Sequence, residues 1–512
     1  MDGKLLVERL LKYAETFLSL NKNDRDYMRN VLLSRFGLYE AFEGEAEVSD
    51  IAKMDVPDAL GEEIREYALE NGLADEDSAE RFVADIFGIL TPMPSVINEK
   101  FEEIKKSKGA QPACDWLYAL CVKNGYIQKT AIARNLKWDY QDGKNRLEIT
   151  VNLSKPEKNN KDIAKLLTAP QGKKYPKCQL CKENEGFEGT ATHPARRNLR
   201  TVKVKLGGED WFVQYSPYAY YDEHCIAINE KHVPMDVNEK TPAKLLDFVD
   251  AFPNYFIGSN ASLPIVGGSI LNHEHFQGGL HLMPMHGAGY AKMYRSEEYP
   301  DLEIGALDWY NSAIRFEGEN REHVEAFAAK VIAAWKEFSC PECDIINRTG
   351  ETRHNAVSPI ARKIGGRYSI TMILRNNRTD ERFPDGIFHV HPEYQNIKSE
   401  GIGLIEAMGL FILPGRLKRQ LEGIAKILCG EAPYDAASLE DKSNDLYVHR
   451  HMIAKLMAEG KAKNMEQANR RCEDYVNKVC AAILDNTAVF KKDETGKAGF
   501  GKFMKQLSLK EI

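Results

Sequence analysis

The chain has 512 residues, a formal net charge of −7 and 43% hydrophobic residues, enough for about two to four folding units with buried cores. Lysines and arginines are scattered without a basic stripe, which argues against nucleic acid as the main partner. No apolar run is long enough to span a bilayer, charges break the leucines of MDGKLLVERLLKYAETFL, and ten cysteines are too sparse for a disulfide scaffold. The chain therefore reads as cytoplasmic, with no membrane partner.

From Leu6 to Phe36 the apolar residues recur at helical spacing. Asp58 ahead of ALGEEIREYALENGL, with Gly72 behind it, predicts a capped helix, and SAERFVADIFGIL and ACDWLYALCVKNG predict more. Residues 1–137 thus form a helical N-terminal region that shows no catalytic cluster and suits packing and assembly. From Trp138 onward, RLEITVNL, RTVKVKL and DWFVQYSPYAYYDEHCIAIN bring β-branched and aromatic residues at strand spacing.

TPAKLLDFVDAFPNYF then returns to helical spacing before GGSILNHEHFQGGLHLMPM, completing a first mixed unit over 138–303. A second unit, 304–415, has REHVEAFAAKVIAAWKEF as its helix and RYSITMILRNN and GIFHVHPE as strands. Each unit offers a His-x-His strand, 273/275 and 389/391, which suggests a duplication. After Gly401 the pattern is helical through GLIEAMGLFILPGRLKRQLEGIAKIL, and 416–512 reads as a helical C-terminal region with KKDETGKAGFG as a polar linker. The predicted class is α+β with mainly antiparallel sheets.

The chemistry concentrates in GGSILNHEHFQGG. Extended, this stretch puts His273, His275 and Gln277 on one face and Glu274 and Phe276 on the other. Imidazole is a nucleophile at neutral pH and can form a phosphoramidate, so His275 suits covalent phosphoryl transfer. A phosphate leaving group needs no strong acid, and the Gln277 amide can donate to a non-bridging oxygen without promoting attack by water. Ser269 and the amides of Gly267 and Gly268 are placed to hold a neighbouring phosphate, and the guanidinium forks of Arg196 and Arg197 in THPARRN match phosphate oxygens.

Cys178 and Cys181 have zinc-knuckle spacing, with His232 and His273 as natural completing ligands of a closed structural site. Cys340 and Cys343 repeat the spacing without suitably placed histidines and read as ordinary thiols. Lys398 and Arg375 read as solvated charges. His389 and His391 are open between core packing, substrate contact and a second metal.

YPKCQLCKENEGFEG, THPARRN, EHCIAINEKHVPM, GGSILNHEHFQGGLHLMPM, RHNAVSPIARK, GIFHVHPE and IGLIEAMGLFILPGRL together resemble the second, bacterial class of galactose-1-phosphate uridylyltransferase. The resemblance implies two histidine-triad-like halves and ping-pong transfer of UMP from UDP-glucose to galactose 1-phosphate in galactose metabolism. It also implies a homodimer. By the same likeness His275 carries the uridylyl group, Gln277 stabilises it, and Cys178, Cys181, His232 and His273 hold zinc. Glu274 stands where the better-known class of the enzyme has proline. The competing readings are a related nucleotide phosphorylase or hydrolase, and a non-catalytic zinc protein that binds sugar nucleotides.

Overall fold

The computed structural model describes residues 2–154, 175–268 and 270–512, and every count refers to these described residues. The strands are β1 (Leu136–Asp142), β2 (Asn145–Asn152), β3 (Val202–Leu206), β4 (Glu209–Tyr215), β5 (Cys225–Asn229), β6 (Phe256–Gly258), β7 (His275–Gly279) and β8 (Tyr290–Ser296). They continue with β9 (Glu303–Leu307), β10 (Ala313–Gly318), β11 (Arg348–Thr349), β12 (Thr352–Arg353), β13 (Asn355–Ile364), β14 (Arg367–Asn376), β15 (Leu410–Pro414) and β16 (Leu509–Glu511).

Eleven of these form one antiparallel sheet in the order β16-β8-β9-β10-β14-β13-β6-β7-β5-β4-β3. The sheet is made of two copies of one topology. In β3 to β7, and again in β8, β9, β10, β13 and β14, the spatial order from the outside inward is first, second, third, fifth, fourth. A helix separates the third and fourth strands each time, Thr241–Ala251 in one copy and Arg321–Glu337 in the other. The copies meet where β6 pairs with β13 through Ile257↔Ala361 and Gly258↔Ile360. The class is α+β with two related halves, as the sequence predicts, and the second set of strands begins at Tyr290.

The two helices cover one face of the sheet and pack on each other. In Arg321–Glu337 the buried Val324, Phe327, Ala328, Val331, Ile332 and Trp335 recur at helical spacing, and the Asn320 side chain caps the first turn by accepting from the His323 amide at 3.2 Å. The N-terminal helices join this core. On the opposite side of the second half, Ile360 and Ile373 share a second core with Ile149, Phe411 and the C-terminal helices.

Four expectations are corrected. GIFHVHPE is not a strand: Pro384 precedes it, Gly386 and Pro392 lie within it, and it runs as turns into the short helical turn Pro392–Tyr394, so the duplication lies in the topology and not in the His-x-His pairs. Within the expected helix after Gly401, Gly409 at φ +97° breaks the pattern and Leu410–Pro414 becomes β15, parallel to β2. The supposed polar linker enters the helix Glu494–Gln506, capped by Asp493, which accepts from the Gly496 amide at 2.7 Å. Its Gly499 packs so closely on Cys340 and Cys343 that an added Cβ would lie 2.4 Å from the Cys343 sulfur. Finally, β1 and β2 belong with β15 to a separate three-stranded sheet.

Candidate active site

β7 begins at His275, so Ile270–Glu274 approach it as irregular chain and the extended run is shorter than expected. Alternation within β7 still divides the side chains. Phe276 turns toward the helices and stacks on Trp211 with centroids 4.8 Å apart. Glu274 also points away from the cavity: it accepts from Asn229 Nδ2 at 2.8 Å and pairs with Lys244 of the helix Thr241–Ala251 at 2.9 Å.

Truncating that lysine would leave the buried Glu274 without its cation. Lys244→Ala is expected to cost about 3 kcal/mol of stability in urea unfolding. A loss under about 1 kcal/mol would show that the pair does not hold the strand.

His275 and Gln277 face a cavity of about 930 Å³. Its floor continues across the sheet through Gln214 of β4 and Ile226 of β5, and the segment Lys398–Glu406 of the second half forms the facing wall. This wall sits tightly on the seam between the copies. Asn260 Oδ1 accepts from the Leu404 amide at 2.8 Å, and a Cβ at Gly258 would lie 2.8 Å from the Leu404 side chain, so the wall requires glycine there.

The His275 ring is buried, and this burial pushes its pKa below the ordinary value of 6.5. Its Nδ1 lies 2.8 Å from the His273 carbonyl oxygen, so the proton of the neutral ring sits on Nδ1 and donates to that carbonyl. Nε2 keeps its lone pair, which is the state a nucleophile needs. Gln277 Oε1 lies 3.3 Å from His224 Nε2. His224 was not singled out from sequence, although its place two residues before Ile226, the cross-strand partner of Gln277, puts it on the same face.

Beside the cavity, Cys178, Cys181, His232 and His273 bring their ligand atoms within 4.8 Å of one another. The sulfurs are 3.6 Å apart, Cys178 Sγ is 3.3 Å from His273 Nδ1, and Cys181 Sγ is 3.1 Å from His232 Nδ1. A tetrahedral zinc ion with ordinary bond lengths has S–S edges of about 3.8 Å and S–N edges of about 3.6 Å, so the donor set fits. His273 Nε2 donates to the Asn229 carbonyl at 2.8 Å, which leaves Nδ1 free as the ligand atom.

The remaining candidates divide. Gly267 and Gly268 line the cavity, but a Cβ on Gly267 would strike the Ala261 and Leu263 carbonyls at 2.4 and 2.5 Å, so that glycine serves the chain's own fold. Ser269 lies outside the described residues. Arg196 lines the cavity. Arg197 is not among the lining residues: its Nε pairs with Asp85 Oδ1 at 3.0 Å and fastens the loop to the helix Ala79–Leu90. The N-terminal region therefore braces the loop that bears Arg196.

Arg375 and Lys398 are buried, not solvated, with Lys398 held by Glu406 at 2.9 Å. His389 is buried with neither ring nitrogen hydrogen-bonded, its pKa pushed down to about 4 chiefly by burial. His391 stacks on Phe383 with centroids 4.0 Å apart. Among the described residues neither these histidines nor Cys340 and Cys343, whose sulfurs are 3.5 Å apart, form part of a set of three or more ligating side chains in mutual reach.

Residues 19–234 match the family described as galactose-1-phosphate uridyl transferase, N-terminal domain, and residues 247–451 match its C-terminal domain. The galactose-1-phosphate uridylyltransferase of Caldanaerobacter subterraneus subsp. tengcongensis is 41% identical over 100% of this chain and 99% of its own length. That of Bacillus subtilis is 40% identical over 99% and 98%. Among solved structures, yeast Ap4A phosphorylase Apa2 aligns at 10% identity with a TM-score of 0.31, covering 65% of this chain and 89% of its own. With both domain families matched and relatives aligned end to end, the chain belongs to the galactose-1-phosphate uridylyltransferase family.

Proposed function

We propose that the protein transfers UMP from UDP-glucose to galactose 1-phosphate through a uridylyl group carried on His275. The single observation that carries this reading is the buried imidazole that lines the cavity with its Nδ1 committed to the His273 carbonyl at 2.8 Å, which leaves Nε2 as the nitrogen with a free lone pair. Nε2 attacks the α-phosphorus, an N–P bond forms, and the bond to the bridging oxygen breaks. Glucose 1-phosphate leaves with that electron pair. A phosphate oxygen of galactose 1-phosphate then attacks the same phosphorus, displacing Nε2 and giving UDP-galactose.

The Gln277 amide and Arg196 are the groups assigned to the phosphate oxygens in this reading, with the Gly268 amide lining the same cavity; a phosphate contact by Ser269 is proposed from the sequence alone. Gln277→Ala is expected to lower kcat about 10²–10³-fold, measured by coupled assay. An unchanged kcat removes Gln277 from the reaction.

Cys178, Cys181, His232 and His273 are proposed to hold zinc, which supplies structural cross-linking and takes no part in phosphoryl transfer. The same proposal includes a cytoplasmic homodimer; among the described residues no helix is long and apolar enough to cross a membrane. Limited proteolysis tests the division at 1–137, 138–303, 304–415 and 416–512.

The decisive experiment uses UDP-glucose labelled in the uridine. Label retained on denatured protein, matched by release of glucose 1-phosphate and absent from His275→Ala, supports the covalent route. Steady release of UMP to water without acceptor would instead point to a hydrolase.

A further inference from the structure

A glutamine amide has two ends of opposite polarity, and only its NH2 end stabilises a phosphoryl oxygen; the carbonyl end repels it. Something must choose between them. Gln277 Oε1 lies 3.3 Å from His224 Nε2, and His224 is itself 3% exposed. Its ring stacks on Tyr220 with centroids 5.3 Å apart and packs at a tilt against Tyr221 at 4.6 Å. The His224 backbone is fixed as well, its carbonyl accepting from the Ser216 amide at 2.8 Å.

The other ring nitrogen decides the tautomer. His224 Nδ1 is buried with no hydrogen-bond partner among the described residues, and burial lowers the His224 pKa to about 4, so the ring is neutral and carries one proton. A proton on Nδ1 would be a buried donor with nothing to accept it, and Nε2 would then ask Gln277 for its NH2 group. A proton on Nε2 leaves only a lone pair unmet at Nδ1 and fixes Oε1 of Gln277 toward His224. The second arrangement leaves the NH2 of Gln277 free for the cavity that Gln277 and His275 both line.

We infer that His224 is a positioning residue that holds the Gln277 amide with its NH2 end presented to the phosphoryl oxygens. The inference rests on the uridylyl-transfer reading above. His224 immediately precedes β5, and its side chain meets that of Gln277 on β7 directly.

The test compares His224→Phe, which keeps the stack and removes the donor, with His224→Gln, whose terminal NH2 lies near the place of Nε2, and with His224→Asn, too short to reach. His224→Phe and His224→Asn are expected to slow single-turnover uridylylation and kcat about 10–100-fold with KM for UDP-glucose nearly unchanged, and His224→Gln to recover most of the rate. Adding His224→Phe to Gln277→Ala should slow the protein little further, the double variant matching Gln277→Ala alone. Independent, multiplying losses, or a raised KM at unchanged kcat, would overturn the inference while leaving Gln277 in its role. If Gln277→Ala alone were harmless, the assignment of Gln277 itself would fall, and this one with it.

Discussion

His275→Ala is expected to lower kcat by roughly 10⁴–10⁶-fold and to leave the fold intact. The ring's hydrogen bond goes to its own neighbour, the His273 carbonyl, so its loss breaks no hydrogen bond between distant elements. Two rates should collapse together: overall turnover, and exchange of labelled glucose 1-phosphate into UDP-glucose without galactose 1-phosphate. They share a fate because one nitrogen forms the N–P bond in the first half-reaction and loses it in the second. Exchange that survived in the variant would mean that the two sugar phosphates meet in a single displacement.

The second large effect is loss of the metal. Elemental analysis is expected to find one zinc ion per chain, and Cys178→Ser or Cys181→Ser to abolish it. Such sites contribute on the order of 10 kcal/mol of apparent binding energy to the folded state. Here the donors come from three separate pieces of chain: the loop with Cys178 and Cys181, the turn with His232 after β5, and His273 before β7. Removing the ion frees all three at once. Chelation should therefore lower the melting temperature and take activity away in proportion to the metal removed, and metal-free protein that melts normally at full activity would eliminate the site.

How much of this was legible in the sequence depended on how far apart the partners lie. His273, His275 and Gln277 are neighbours in the chain, so their chemistry and alternation could be read locally. The completing ligand His232 could be chosen by residue type alone. Arg196 and Arg197 could not be told apart, because what separates them is Asp85, on a helix more than a hundred residues earlier. Likewise Arg375 and Lys398 are charged and read as surface residues, yet strand pairing and the Glu406 carboxylate bury them. The β15 segment read as helix because its apolar run fits either period, and only pairing with β2 decides it.

One straight row of paired residues crosses the seam: Gln214, Ile226, Gln277, Gly258, Ile360, Thr371 and Arg315 lie side by side on six neighbouring strands and beyond into β10. Because side chains alternate with a period of two, a single-residue deletion inside any of these strands turns every residue past it to the other face. In Gly258 or Ile360 such a slip would be transmitted to the partner copy, far from the nucleophile. The lineage of this enzyme should accordingly vary in length at its hairpins and helix ends and hold constant length within β6, β7 and β13, a pattern set by the geometry of one shared sheet and not by contact with substrate.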